Sequence, residues 1–253
     1  MQYHPLFLEP SFKNYLWGGM RLKTDFNKQT GLVPLAESWE LSCHKDGQSR
    51  IANGEFTGVL LWDFLSSHPN AMGTKATSYA YFPLLIKLID AKDNLSVQVH
   101  PDNAYALQNE GESGKTELWY IVDCEEGASL FYGFARAVSK DEFRRHIEDE
   151  TLPEILNRVP VHKGDVFYIP AGTLHAIGKG ILIAEIQQSS NSTYRVYDYG
   201  RVATDGNPRP LHIEKALDVT CLDAAKEDAP VSYTHLDVYK RQRLQRARRL
   251  RFM

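Results

Sequence analysis

Only three cysteines occur in the 253 residues, Cys43, Cys124 and Cys221, odd in number, far apart and in no Cys-x-x-Cys spacing. Their scarcity excludes a disulfide framework and a thiolate zinc site, and it fits a reducing cytoplasm. Long apolar runs are also lacking, since the most apolar stretches, 83–89 and 180–186, fall far short of a membrane span. Residues 1–10 contain Glu9 and no basic-then-apolar sequence, so no leader peptide is expected. Nor does charge of one sign dominate: 29 Lys+Arg face 32 Asp+Glu, giving −3, which argues against nucleic acid or an anionic membrane as a partner. The 43% hydrophobic and 24% charged composition is that of a globular chain with a core, excluding collagen-like, coiled-coil and wholly disordered classes.

The charge is unevenly placed. From Val231 onward seven basic residues (Lys240, Arg241, Arg243, Arg246, Arg248, Arg249, Arg251) face one acid, Asp237, so this tail carries +6 and residues 1–230 carry −9. No repeat, low-complexity tract or Gly/Ser linker interrupts residues 1–230. Short β-rich runs punctuated by Gly, Pro, Asn and Asp dominate there: 37–42, 84–90, 95–100, 118–122, 128–132, 166–169, 181–187 and 194–197. This spacing predicts an all-β sandwich or barrel with a few inserted helices. Ser139 with Glu142 and Thr151 with Glu154 form two capping boxes, predicting helices that run through Phe143 and Ile147 and through Ile155 and Leu156. A third helix is predicted over 58–67, ended by Pro69.

Alternation singles out Leu95-Ser96-Val97-Gln98-Val99-His100. On a strand, Leu95, Val97 and Val99 share one face and Ser96, Gln98 and His100 the other, with Pro101 ending the strand beside His100. Taken alone, the triplet also fits a solvated face. In Gly114-Lys115-Thr116-Glu117, Lys115 and Glu117 share a face if extended, and a plain surface ion pair is the competing reading. Downstream, the strand 166–169 runs into Pro170-Ala171-Gly172, a tight turn that presents His175.

The string from Gly164 to His175, Gly-x5-Pro-x-Gly-x2-His, resembles the second signature of the cupin family. Two departures from the general cupin pattern are informative. Lys179 stands where that pattern ends in Asn, and Gln98-Val99-His100 replaces His-x-His, with Glu117 following only after 16 residues. The combination of Ser-Val-Gln-Val-His-Pro, Gly-Lys-Thr-Glu, Pro-x-Gly-Thr-x-His-Ala and the later Tyr-Arg-x-Tyr-Asp resembles the type I mannose-6-phosphate isomerases in their short bacterial form. Trp17-Gly18-Gly19 and Glu37-Ser38-Trp39-Glu40 extend the resemblance over about residues 5 to 220.

The resemblance implies a cupin jelly-roll β-sandwich and one zinc per chain held by Gln98, His100, Glu117 and His175. It implies an aldose–ketose isomerase that interconverts mannose 6-phosphate and fructose 6-phosphate through an enediol. Arg195, Lys115 and Glu185 match the family's catalytic positions, and Ser96, Lys115 and Arg195 are its candidates for gripping substrate. Read from the residues alone, Arg195 also fits a surface arginine covering aromatic rings, Ser96 a plain strand hydroxyl, and either Lys115 or Glu185 could be the base. The donor set itself, two imidazoles, a carboxylate and an amide without thiolate, suits a catalytic metal better than a structural one. A cupin that binds sugar without turnover is the alternative, and Gln98 argues against a redox-iron dioxygenase. His4, His44, His68, His146, His162, His212 and His235 lack matching partners and are expected in solvated or packed roles. Residues 1–230 are expected to form the catalytic unit, with the family's final β unit missing and 231–253 resembling vector read-through; a genuine basic arm is the other reading. The sequence is silent on oligomeric state.

Overall fold

The apolar and alternating runs pair into two antiparallel sheets in the computed structural model, which describes residues 5–73, 79, 81–202 and 206–225. The first sheet has the strand order β10 (Val166–Ile169), β7 (Glu117–Cys124), β12 (Ile181–Gln188), β5 (Leu84–Ala91), β3 (Glu37–Leu41) and β2 (Ser11–Lys13). The second runs β13 (Tyr194–Tyr197), β6 (Val97–Val99), β11 (His175–Ala176), β8 (Ser129–Phe134) and β9 (Leu156–Pro160). A two-stranded ribbon pairs β1 (Leu8–Glu9) with β4 (Arg50–Ile51). From β5 to β13 the chain crosses repeatedly from one sheet to the other, and both sheets close over a shared interior. That is the jelly-roll sandwich of a cupin.

Strand alternation sorts the side chains into three layers. On β6, Val97 and Val99 are fully buried on the outer side of the second sheet, as are Ala176 on β11 and Tyr194 and Val196 on β13. They pack against Phe143 and Ile147 of α4 (Lys140–Glu148) and Ala216 and Leu217 of α5 (Ile213–Val219). Gln98, His175 and Arg195 therefore project to the opposite face, between the sheets, because side chains two residues apart share a face. From the first sheet, Ile89, Trp119, Ile121 and Ile183 fill one end of that interior against Leu95, Leu130 and Ile177. Burying each such aliphatic side chain stabilises the sandwich by roughly 1.5–3 kcal/mol.

The first capping box behaves as expected: Ser139 Oγ accepts from Glu142 N at 3.1 Å at the start of α4. The second does not. Thr151 makes no cap, its hydroxyl pairing instead with His146 Nδ1 at 2.7 Å, and only a 3₁₀ turn, Leu152–Glu154, forms around Pro153. Leu156 then opens β9, because pairing with β8 buries it in the sheet. The helix over 58–67 is shortened to α2 (Leu61–Ser67), since Gly58 takes a left-handed φ of +87°. Among the described residues the other α-helices are α1 (Arg21–Thr24) and α3 (Asn103–Asn109). Asp102, just after Pro101, caps α3 by accepting from Tyr105 N at 2.9 Å. No described helix is long and apolar enough to cross a membrane. Cys43, Cys124 and Cys221 are all free. The basic tail expected over 231–253 lies outside the described residues.

Candidate active site

Where the apolar filling of the interior stops, a cavity of about 220 Å³ opens between the sheets. Sheet register assembles it. Gln98 lies directly between its neighbours His175 on β11 and Arg195 on β13, so one level of the second sheet presents an amide, an imidazole and a guanidinium side by side. Across the interior, Glu117 on β7 pairs with Gln187 on β12, while Glu185 on β12 pairs with both Lys87 on β5 and Trp119 on β7.

Two close backbone approaches complete the frame. Thr173 N donates to Pro170 O at 3.1 Å, closing a turn whose third residue, Gly172, has φ +85°. Gly172 N donates to the carbonyl of His100 at 2.9 Å, tying the turn that delivers His175 to the end of β6. A Cβ on Gly114 would lie 2.4 Å from the backbone of Asp102, so only glycine lets this loop approach closely enough for Lys115 N to reach Pro101 O at 3.0 Å.

His100, Glu117 and His175 converge, all almost fully buried, with candidate ligand atoms within 4.8 Å of one another. His100 Nε2 lies 3.2 Å from Glu117 Oε1, and His175 Nε2 lies 3.8 Å from Glu117 Oε2. His100 Nδ1 donates to Ser192 O at 2.9 Å and His175 Nδ1 to Thr173 O at 2.8 Å. A carbonyl can only accept, so these bonds place the proton on Nδ1 and leave each Nε2 lone pair facing the cluster. Both Nε2 atoms and Glu117 Oε1 are buried without a hydrogen-bond partner of acceptable geometry. Burial, reinforced by Lys115 and opposed by Glu117, holds His100 down at about 3, and burial likewise depresses His175. For Glu117, burial pushes up but is outweighed by Lys115 and the two imidazoles, and the carboxyl ends well below its usual range. Two neutral imidazoles, one carboxylate and three orphaned donor atoms fit a divalent cation such as zinc.

Lys115 Nζ sits 2.9 Å from Glu117 Oε1 and is buried, so the solvent-exposed ion pair weighed from the sequence is replaced by an interior one. Trp119 Nε1 donates to both Glu117 Oε2 at 3.0 Å and Glu185 Oε2 at 2.9 Å, holding the two carboxylates apart. Glu185 Oε1 lies 3.2 Å from Lys87 Nζ. Burial and the Glu117 charge raise the Glu185 carboxyl above its usual range, with Lys87 and Lys115 opposing. Arg195 reaches Ser96 Oγ through Nε at 3.2 Å and Pro210 O through Nη1 at 3.2 Å. It is therefore a half-buried cavity residue, not a surface arginine over aromatic rings.

All eight residues singled out from the sequence face this one region: Gln98, Ser96, Lys115, Glu185 and Arg195 line the cavity, and His100, Glu117 and His175 form the buried triad at its wall. Lys87, Glu37, Tyr15, Trp17, Asn191, Thr193 and Arg209 also line it and carried no assigned role. A signal existed for Lys87, the one charge within the apolar run 84–89. Among the described histidines outside the triad, His44 meets Glu112 at 3.2 Å and His68 stacks on Phe64 at 4.5 Å between ring centroids, packed roles as expected.

Fold and site together define a cupin-type sandwich with a buried His-Glu-His cluster, able to hold a metal ion, beside a cavity lined by both cationic and acidic groups. Comparison with known proteins narrows that class. The family model "phosphomannose isomerase type I, catalytic domain" matches residues 6–126. The chain is 46% identical to mannose-6-phosphate isomerase from Streptococcus mutans over 226 residues, 89% of this chain and 71% of that one. It is 42% identical to mannose-6-phosphate isomerase ManA from Bacillus subtilis, over 94% of this chain and 74% of the relative. The crystal structure of the mannose 6-phosphate isomerase from Bacillus subtilis superposes with a TM-score of 0.83 at 42% identity, covering 88% and 71% of the two chains. This chain belongs to the type I mannose-6-phosphate isomerase family.

Proposed function

We propose that this cavity interconverts mannose 6-phosphate and fructose 6-phosphate, moving a proton between C1 and C2 through an enediol, in the cytoplasm. The observation that carries the reading is the joining, in one interior cavity, of the His100–Glu117–His175 cluster with Glu185, Lys115 and Arg195. The relatives are bacterial isomerases by name, and the three free cysteines accord with a reducing compartment.

His100, Glu117 and His175, with Gln98 as the fourth ligand from the neighbouring register position, would hold one zinc per chain. Bound there, zinc supplies a Lewis acid that polarises sugar oxygens. Glu185 is the base: its carboxyl is buried, and burial with the Glu117 charge holds it above its ordinary range, which makes the carboxylate a stronger proton acceptor than a solvated one. Lys115, fixed in the cavity wall by Glu117 at 2.9 Å, holds a substrate oxygen. Arg195 stabilises the developing enediolate with a charge that does not titrate. Ser96 orients Arg195 and offers its hydroxyl to substrate. Residues 1–230 are taken as the catalytic unit.

The test is solvent exchange. Zinc-loaded protein incubated with mannose 6-phosphate in heavy water is expected to form fructose 6-phosphate with label at C1 or C2. A folded, zinc-loaded sample that neither converts the sugar nor exchanges its protons overturns the reading.

A further inference from the structure

Cations and anions are unequally shared along the cavity. Lys115 is paired with Glu117, and Lys87 lies between Glu185 at 3.2 Å and Glu37 at 3.9 Å. At the other end three arginines stand against one carboxylate, Asp198, which bonds two of them. Arg201 Nη2 donates to Asp198 Oδ1 at 2.6 Å, Arg209 Nε donates to Asp198 Oδ2 at 2.7 Å, and Arg209 Nη2 also reaches Oδ1. Arg195 has neutral partners only, Ser96 Oγ and the Pro210 carbonyl. This end therefore carries a surplus of two positive charges.

The backbone fixes Arg209 beside Arg195. His212 N donates to Arg195 O at 2.8 Å, and Arg195 N donates to His212 Nδ1 at 3.2 Å, so the segment 209–212 runs alongside β13. Both guanidinium groups line the cavity, and Arg209 is 19% exposed. Asp198 grips Arg209 by its Nε and Nη2, which pins the plane of the fork without covering the whole group. A rigid, permanently charged fork next to an arginine without a counter-ion is what a dianionic phosphate monoester requires.

We propose that Arg209, held in place by Asp198, binds the phosphate of the sugar phosphate together with Arg195, and so sets selection for phosphorylated over free sugar. This rests on the isomerase reading above. It assigns Arg209 to binding, leaving proton transfer to Glu185 at the triad end. Arg201, the other partner of Asp198, serves to hold the carboxylate.

The experiment uses the full zinc-loaded chain and Arg209→Gln. The KM for mannose 6-phosphate is expected to rise on the order of tenfold to a hundredfold, the scale of one charge-assisted contact, with a much smaller fall in kcat and unchanged zinc content. Competitive inhibition by inorganic phosphate should weaken by a similar factor, and Arg209→Lys should recover part of both losses. An unchanged KM and phosphate inhibition in Arg209→Gln overturns the proposal, as does a loss confined to kcat. A structure of the unmutated protein with mannose 6-phosphate is the second measurement: a phosphate seated beyond hydrogen-bond reach of Arg209 also overturns it. Direct calorimetric titration with inorganic phosphate separates the two readings. Phosphate binding that depends on Arg209 in a protein without turnover removes the isomerase reading and keeps the anion site, whereas turnover with no dependence on Arg209 does the reverse.

Discussion

At the triad end of the cavity two lysines face three carboxylates, Lys115 with Glu117 and Lys87 with Glu185 and Glu37, while at the arginine end Asp198 binds Arg201 and Arg209 and Arg195 has no carboxylate of its own. The first end carries one more carboxylate than lysine and leaves ligand atoms on His100, Glu117 and His175 without partners. The second is left with surplus positive charge, three arginines against Asp198. A site with orphaned lone pairs takes a cation, and a site with surplus guanidinium charge takes an anion. One cavity thus orients a substrate that is polarised at one end and dianionic at the other.

The comparison breaks most severely at Glu117. Glu117→Gln removes the only anion of the triad, and zinc content and turnover should fall together, turnover by roughly 10³-fold or more. Metal analysis beside a kinetic assay checks this, and full activity without bound metal refutes the ligand assignment. At the other end, Arg195→Ala should leave zinc in place while turnover drops by roughly 10²- to 10³-fold, the scale of a lost charge-stabilising donor. Parallel loss of metal in that variant would show that the two ends are not separable.

Lys87 tests the charge balance of the triad end. It is buried between Glu185 and Glu37 and lies 5.0 Å over the ring of Trp39; burial pulls its pKa down, but Glu37 and Glu185 outweigh that and hold it above the ordinary lysine value. Lys87→Met leaves two carboxylates facing each other in the interior, so denaturant unfolding should show a loss of about 3–5 kcal/mol. The acid limb of the activity profile should also move upward, because Lys87 lowers the Glu185 pKa and the ionised carboxylate is the active form. An unchanged limb argues against Glu185 as the base.

Much of the triad end was legible in the sequence, and less of the arginine end. Ser96, Gln98 and His100 alternate with valines, and alternation on a strand is a geometric rule, so their common face followed directly. Gly172 and Pro170 fixed the turn that delivers His175 through backbone preference alone. Arg209 lies in a segment with no periodic pattern, and its neighbour Arg195 is brought to it by long-range hydrogen bonds that no local rule encodes. Lys87 was visible only as a charge in an apolar run, and its meaning depended on Glu37 and Glu185 from two other strands. The failed helix at 151–156 has the same origin: a sound local capping pattern lost to sheet pairing that buries Leu156.

The smallest expected effect is the most diagnostic of the arginine end. Burial pushes the Asp198 carboxyl upward, but the bonds from Arg209 and Arg201 outweigh it and hold the group below its ordinary range. A carboxyl depressed in the folded state contributes stability that is present in full above its unfolded value of about 4, and that is lost as pH falls through the lower folded value. Asp198→Asn keeps the shape and cannot ionise. It should cost about 1–3 kcal/mol at neutral pH, the scale of a charge-assisted hydrogen bond, and the gap from the unmutated protein should close as pH drops below that range. The same variant frees the Arg209 fork while leaving its charge, so KM for mannose 6-phosphate should rise by less than in Arg209→Gln. Urea titrations at neutral and acid pH, beside the kinetics, separate the two roles. A stability gap that stays constant with pH would mean that the Asp198 charge contributes nothing, and the pinned fork would have to be held by packing instead.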